Sequence, residues 1–410
     1  MGGGFGIILG KETCMSVVRI LIALCVLTVS GCVLTGQGRL DDSPQIMPTE
    51  HGLWITRWDY QSPEGVRKAI ADAAAIGMTD IYWQVRGQAD AYYPSKLEPW
   101  GFELLKYNPN PPSFDPLEIA VRESKARKMK IHAWINVMPM WKGKDAPRDR
   151  SHMFNAHPEW RLRDQDGNMQ RLQEGYVVVN PVLDAVQDHI VAVIREIVDN
   201  YDIDGVHLDY IRYLADEIGA DQLMPGDPIS RALYAKQTTS SDVPSQIDRT
   251  KYRRWISSRI DHLVERIDTE SIRSKRGVRL SAAVWRRPDI ASDRYLQNAV
   301  KWVDDGHMDA VMPMIYTDKN EQYQSDLAAW QGVVKQDKVI PGIGAYKHTN
   351  PAQTSYQVAI GDPKRFAIFA YSTIFESPNP EQKKDAASVL ERKHKREALA
   401  DVIKRVGSSG

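Results

Sequence analysis

Eight short apolar runs, each rich in β-branched and aromatic residues, recur along this chain: LWITRW (53–58), DIYWQV (80–85), IHAWINV (131–137), GVHLDY (205–210), RLSAAVW (279–285), DAVMPMIY (309–316), VIPGIGAY (339–346) and FAIFAYS (366–372). Helical patterns intervene at 63–76, 115–128, 181–200, 250–270, 292–305 and 321–334, with a weaker one at 349–360. Strands alternating with helices signal parallel βα units. Eight such units in about 325 continuous residues predict an α/β fold, a (β/α)8 barrel. A doubly wound open sheet is the competing arrangement, but no Gly-rich phosphate fingerprint follows any run. Residues 138–180 and 211–249 are long insertions after strands 3 and 4, on the C-terminal face where barrel enzymes build their sites.

The ends of the chain read differently. MSVVRILIALCVLTVSGC, starting at Met15, has one positive charge at Arg19, a short apolar run and small residues before Cys32. The run is too short to span a bilayer. VSGC resembles the lipobox of bacterial lipoproteins, in which the cysteine is lipidated and becomes the N-terminus. The expected organisation is a signal peptide over 1–31 with Met15 as an alternative start, a lipidated Cys32 and tether over 32–48, a barrel over 49–375, and a solvated, charged helix or tail over 376–410. A simple signal peptide or an uncleaved anchor is the alternative. Val33 is not the aspartate associated with inner-membrane retention in some Gram-negative bacteria, which points to the outer membrane.

All three cysteines lie within the first 32 residues, so the body holds neither a disulfide nor a zinc–thiolate site. Lys plus Arg and Asp plus Glu are both 53, which gives no bulk signal for nucleic acid. Eleven Trp and 17 Tyr against 7 Phe would suit either an aromatic-lined cleft or an ordinary core.

The fourth run, YDIDGVHLDYIRYL, places three aspartates around one strand. Asp202 and Asp204 precede it and read as turn and capping groups. Asp209 ends it, on the same side as Gly205 and His207 by the period of two, so its carboxylate would face the barrel mouth. A buried carboxylate there needs a partner or a catalytic reason; Arg212, Arg57 and Arg86 are candidate partners. Other strand ends carry Arg57 and Asp59, Gln84 and Arg86, Asn136, Trp285, Tyr316, Tyr346 and Tyr371. Stacking faces beside bidentate hydrogen-bonders suit sugar rings.

In order, GLWITRWD, DIYWQVRGQADAYYPSKLEPW, FDPLEIAVRESKARKMKIHAWINV, HPEW, VVVNPVLDAVQDHI, YDIDGVHLDYIRY, WVDDGHMDAVMPMIY and FAIFAYS resemble the glycosyl-hydrolase-like family 10 of bacterial lipoproteins. The resemblance covers most of the body; strands 5 and 7 match more loosely. It implies hydrolysis of a bacterial polysaccharide, and a lipid-tethered enzyme would meet peptidoglycan glycan strands first.

Glycoside hydrolysis generally needs two carboxyl groups, one a protonated acid and one a carboxylate. Asp209 is the first choice for one. Glu98, beside Pro99 and Trp100, and Asp59 are equal choices for the other, with Asp289 behind them. Arg57, Gln84, Arg86, Asn136 and His207 are expected to orient substrate or carboxylates, although a packing role is the favoured reading for His207. Trp285, Tyr316, Tyr346 and Tyr371 are expected to stack on sugars. No cofactor and no metal are expected. Two other functions compete: a non-catalytic glycan-binding barrel, and a metal-dependent hydrolase using His207 and Asp209 with His132 or His307.

Overall fold

Strands β1 (Glu50–Ile55), β2 (Asp80–Arg86), β3 (Lys130–Asn136), β4 (Gly205–Asp209), β5 (Arg279–Val284), β6 (Ala310–Ile315), β7 (Gly342–Gly344) and β8 (Arg365–Phe369) close into one parallel barrel. Each pairs with its sequence neighbours, and β1 completes the ring on β8. The computed structural model describes residues 1–2, 49–172, 175–213, 223–238 and 247–408. The expected leader, Cys32 and tether therefore lie outside the described residues. Everything below belongs to the unit Met47–Gly410.

Among the described residues, the helices that accompany the strands include α1 (Pro63–Ala75), α2 (Pro116–Ala126), α3 (Asp184–Asn200), α4 (Arg249–Ile267), α5 (Ala299–Asp304), α6 (Asn320–Gln331), α7 (Pro351–Ile360) and α8 (Ala386–Ser408). Three of them start on a capping side chain followed by proline. Ser62, Asp115 and Asn350 accept the N–H groups of Gly65, Leu117 and Ala352, at 3.1, 2.9 and 3.0 Å. Each cap contributes about 1 kcal/mol, and proline at the first helical position is pre-set for the turn. Among the described residues, no helix is long and apolar enough to cross a membrane.

Three large aromatic side chains fill the barrel. Trp54, Tyr82 and Trp134 point inward and are buried with Met312 and Ala367. Tyr82 stacks on His132 at 4.8 Å and sits 4.7 Å from the His207 ring. Full burial of one such side chain stabilises by about 1.5–3 kcal/mol. The rings fit because neighbouring inward positions are glycine: a Cβ at Gly205 would overlap His132, and one at Gly52 would lie 2.7 Å from Tyr82. At the N-terminal face, Glu50 accepts the Tyr82 hydroxyl at 3.0 Å and pairs with Arg279 and Arg365 at 3.3 and 3.5 Å. Asp204 accepts the Ile131 N–H at 2.9 Å and Asp202 pairs with Lys125, the turn roles read from the sequence.

Some boundaries moved. β1 stops at Ile55 because the Asp59 carboxylate takes the Thr56 N–H at 2.8 Å, closing a turn. β8 stops at Phe369 and the chain enters a 3-10 turn at Tyr371–Thr373. The helix expected over 292–305 is two pieces, Pro288–Asp293 and α5, parted by Leu296 in the left-handed region at φ 50°.

The tail helix is a correction. Leu399 and Ile403 of α8 are buried, Lys395 donates to the Ala345 carbonyl at 3.0 Å, and Arg396 donates to that of Ile374 at 3.1 Å. Two apolar residues four apart make one narrow stripe. Dense charge around them in sequence disguised a packed helix as a solvated one.

Candidate active site

Asp209 ends β4 opposite Asn136 of β3. Its Oδ1 accepts the Tyr210 N–H at 2.6 Å and the Arg212 guanidinium at 3.1 Å. The chain turns there through Tyr210, held left-handed at φ 54°. A non-glycine residue in that region costs about 1–3 kcal/mol, and such strain gathers at functional sites. Arg212 lies 4.2 Å over the Tyr210 ring and 6.0 Å from Trp285, which packs on Tyr295 at 4.1 Å.

Across the mouth, Tyr316 stacks on Phe369 at 5.3 Å, and Tyr346 meets both edge-on at 5.9 and 6.1 Å. Burial first, and the charge of Asp209 next, push the Tyr316 hydroxyl well above its ordinary range. Tyr316 therefore stays a protonated donor beside a carboxylate. Tyr346 is half exposed.

The other two expected carboxylates sit differently. Glu98 receives Arg86 Nε at 3.0 and 2.9 Å, Arg86 Nη2 at 2.8 Å and lies 3.1 Å from His189 Nε2. Burial alone would raise its pKa; Arg86, then His189, more than offset this and hold it at about 2. Asp59 accepts the Thr56 hydroxyl at 2.8 Å and the Ser377 hydroxyl at 2.6 Å, joining the end of β1 to the chain after β8. Side-chain exposure is 1% for Glu98 and 11% for Asp209, so of these two carboxylates Asp209 is the one that meets solvent. Asp289 is exposed and paired with Arg287 at 3.0 Å.

The residues expected to grip substrate on β1 to β3 are engaged with one another. Arg57 Nε donates to Glu103 at 3.1 Å, and Gln84 accepts the Arg57 N–H at 3.0 Å. Asn136 donates to the Gly87 carbonyl and accepts from Trp134 Nε1, both at 3.0 Å. Arg86 also donates to the Asn136 and Val137 carbonyls. All four are buried. His207 takes Trp54 Nε1 on its Nε2 at 3.1 Å, while its Nδ1 lies 3.0 Å from the Ser281 hydroxyl. Burial, then His132, push its pKa far down, so it is a neutral packing residue beneath Asp209. Tyr371 donates to Asp72 of α1 at 2.6 Å, on the outer side of the strands. Phe369 holds the strand-8 position instead.

Sequence reasoning missed three groups. Phe369 shares the inward parity of Ala367, a signal obscured by extending β8 past its end. Gln297 reaches across from the break before α5: its Oε1 accepts the Trp285 N–H at 2.8 Å, and its Nε2 donates to the Ala283 and Ile211 carbonyls at 3.1 and 3.3 Å. It thereby ties the end of β5 to the segment two residues past Asp209. Asp90 accepts the Gln88 and Gly87 N–H groups at 2.8 and 3.2 Å, while its buried Oδ2 has no hydrogen-bond partner among the described residues.

Burial, then repulsion from Glu103, raise Asp90 from 3.8 to about 6. A carboxyl raised on folding contributes stability that is full below pH 3.8 and lost as pH climbs through about 6. Asp90→Asn keeps the Oδ1 acceptor and removes the charge. It is expected to stabilise the fold by about 1–3 kcal/mol above the raised pKa and by nothing near pH 4 or below. Urea unfolding at acidic and alkaline pH measures the difference; equal effects at both would contradict it.

With the geometry in place, the sequence comparison decides the family. Residues 50–358 match the family model Glycosyl hydrolase-like 10. The chain belongs to that family. It is 28% identical over 286 residues to glycosyl hydrolase YngK of Bacillus subtilis (strain 168), covering 66% of this chain and 51% of that protein. It is 25% identical over 300 residues to glycosyl hydrolase DigH of Escherichia coli (strain K12), covering 68% and 64%. The chain thus spans about half to two thirds of the length of these relatives.

Solved structures share the barrel. The PgaB (BpsB) glycoside hydrolase domain from Bordetella bronchiseptica superposes with a TM-score of 0.56 at 12% identity, covering 87% of this chain and 99% of that one. The beta-amylase catalytic domain from Paenibacillus polymyxa gives 0.54 at 9% identity, covering 86% and 99%. At such identities the likeness speaks for fold alone.

Proposed function

We propose that this protein is a glycoside hydrolase of the bacterial envelope, acting on a polysaccharide, peptidoglycan glycan strands first, with Asp209 as one catalytic carboxylate. One observation carries the reading: the Asp209 side chain is 11% exposed beside Arg212 at the C-terminal end of the barrel, whereas Glu98 is 1% exposed and both Glu98 and Asp59 are enclosed by partners. Membership of the family supports the reaction class.

Both donors to Asp209 suit it as an acceptor, the form needed by a nucleophile or a water-activating base. Its charge would stabilise the oxocarbenium-like transition state, and Arg212 fixes its orientation. Tyr316, kept protonated, would supply a hydrogen-bond donor on the same side of the barrel. Glu98 and Asp59 take structural roles in this scheme, as do Arg57, Gln84, Arg86 and Asn136.

The enclosure of Glu98 and Asp59 also favours a second reading, a tethered glycan-binding barrel without turnover. Fragment release from glycan strands separates the two. The metal-hydrolase reading is less favoured: His207 is engaged at both ring nitrogens, His132 lies 3.1 Å from Asp80, and His307 is 2.8 Å from Asp268.

The proposal includes a lipid tether at Cys32, supported by the VSGC sequence. Cys32→Ser is expected to abolish palmitate labelling and shift the protein from the membrane to the soluble fraction. Unchanged labelling would remove the anchor from the account.

A further inference from the structure

A cleft of about 570 Å³ lies beside the mouth, between the ends of β1, β7 and β8 and the tail. Its near side is Trp58, Tyr346 and Phe369; its far side is built from residues 379–395, including Glu381, Lys383 and Glu391. Its volume falls in the range of about 300–1,000 Å³ typical of ligand clefts. Two of its lining rings, Phe369 and Tyr346, also pack on Tyr316 at the mouth.

We propose that this cleft is a distal subsite, holding sugar rings of the glycan chain remote from the bond being cut, and that the tail makes the protein prefer long chains. The inference rests on the glycan reading above. Two features carry it.

The wall is rigid. Arg392 binds Glu376 at 2.8 Å and the Lys383 carbonyl at 2.8 Å, and Gln382 donates to the Ser372 and Phe375 carbonyls, both at 2.7 Å. Subsites on rigid elements lose little entropy when they bind.

The lining suits rings. Tyr346 is half exposed and Trp58 partly so, offering aromatic faces, and the rim is polar. Charges balance, since buried Lys395 is paired with Glu391 at 2.6 Å and Arg392 with Glu376. A lining with matched charges favours a sugar ring over a strongly charged group.

The test is calorimetric binding of short and long chito-oligosaccharides, and of peptide-free glycan strands, to the full chain carrying Asp209→Asn, so that no turnover is needed. Long ligands are expected to bind about tenfold tighter than short ones, equivalent to about 1.4 kcal/mol. Thr349→Trp, at an exposed position in the lining, should fill the cleft and erase that gain while leaving short-ligand binding unchanged. Trp58→Ala should do the same by removing a face. A gain absent with both ligand families, or one that survives both substitutions, overturns the subsite. Catalytic failure of Asp209 would show instead in fragment release, so the two ideas fail separately.

Discussion

Asp209→Asn is expected to lower fragment release from glycan strands by about 10²–10⁴-fold, the range for loss of a positioned acid–base or nucleophilic carboxyl. Asparagine keeps the Oδ1 that accepts from Tyr210 and Arg212, so the turn at Tyr210 is retained. Arg212 loses its charged partner, which lowers stability by about 1.5–3 kcal/mol without unfolding the barrel. Glycan binding should survive, because Tyr316, Tyr346 and Trp285 are untouched. Full activity in the variant, measured beside a normal unfolding curve, would reduce Asp209 to a structural partner of Arg212.

Glu98→Gln has the opposite profile. It leaves the Arg86 guanidinium buried with no counter-charge, although Arg86 still donates to the Asn136 and Val137 carbonyls. Breaking a buried pair from one side costs about 3–5 kcal/mol. Arg86→Met combined with Glu98→Leu removes both charges and should recover most of that loss. Residual activity per folded molecule is expected to stay near wild type in each, as measured by fragment release corrected for the folded fraction. Were Glu98 the proton donor, Glu98→Gln would abolish turnover and leave the unfolding curve in place.

The same pair sets an acid limb. The Glu98 carboxyl is lowered from 4.5 to about 2, so its contribution is full above pH 4.5 and lost as pH falls towards 2. That difference corresponds to about 3 kcal/mol by the linkage relation. The stability of Glu98→Gln should therefore run flatter over this window than that of wild type. Asp90 slopes the other way at higher pH, so the two variants are distinguishable by pH alone.

The barrel was legible because its signal repeats: eight apolar runs at βα spacing leave few alternatives, and all eight became strands in a sequential ring. The place of Asp209 at the inward end of β4 was legible for a related reason. Its parity with Gly205 and His207 is local, and parity survives small errors at strand ends. Roles that depend on partners remote in sequence were not. Glu98 reads like an acid beside proline and tryptophan, yet its state is set by Arg86, 12 residues away, and His189, 91 away. Asp59 likewise acquires its purpose from Ser377, 318 residues on.

Strand ends cause the other errors. Tyr371 would face the mouth if β8 continued, but a turn two residues earlier sends it to Asp72 and leaves Phe369 in place. Polar residues at the ends of β1 to β3 suggested a sugar-binding set. The structure uses them as a buried layer that fixes the loops behind Asp209. Much of the aromatic excess went to the interior, where the hydroxyl of Tyr82 and the ring N–H of Trp54 find Glu50 and His207.

The most direct measurement is release of soluble fragments from purified peptidoglycan glycan strands, stripped of stem peptides, by the wild-type protein with and without chelator. The account predicts release that the chelator leaves unchanged and that Asp209→Asn removes. Binding of the strands without release by the wild type would contradict it, and would make the barrel a tethered glycan-binding module.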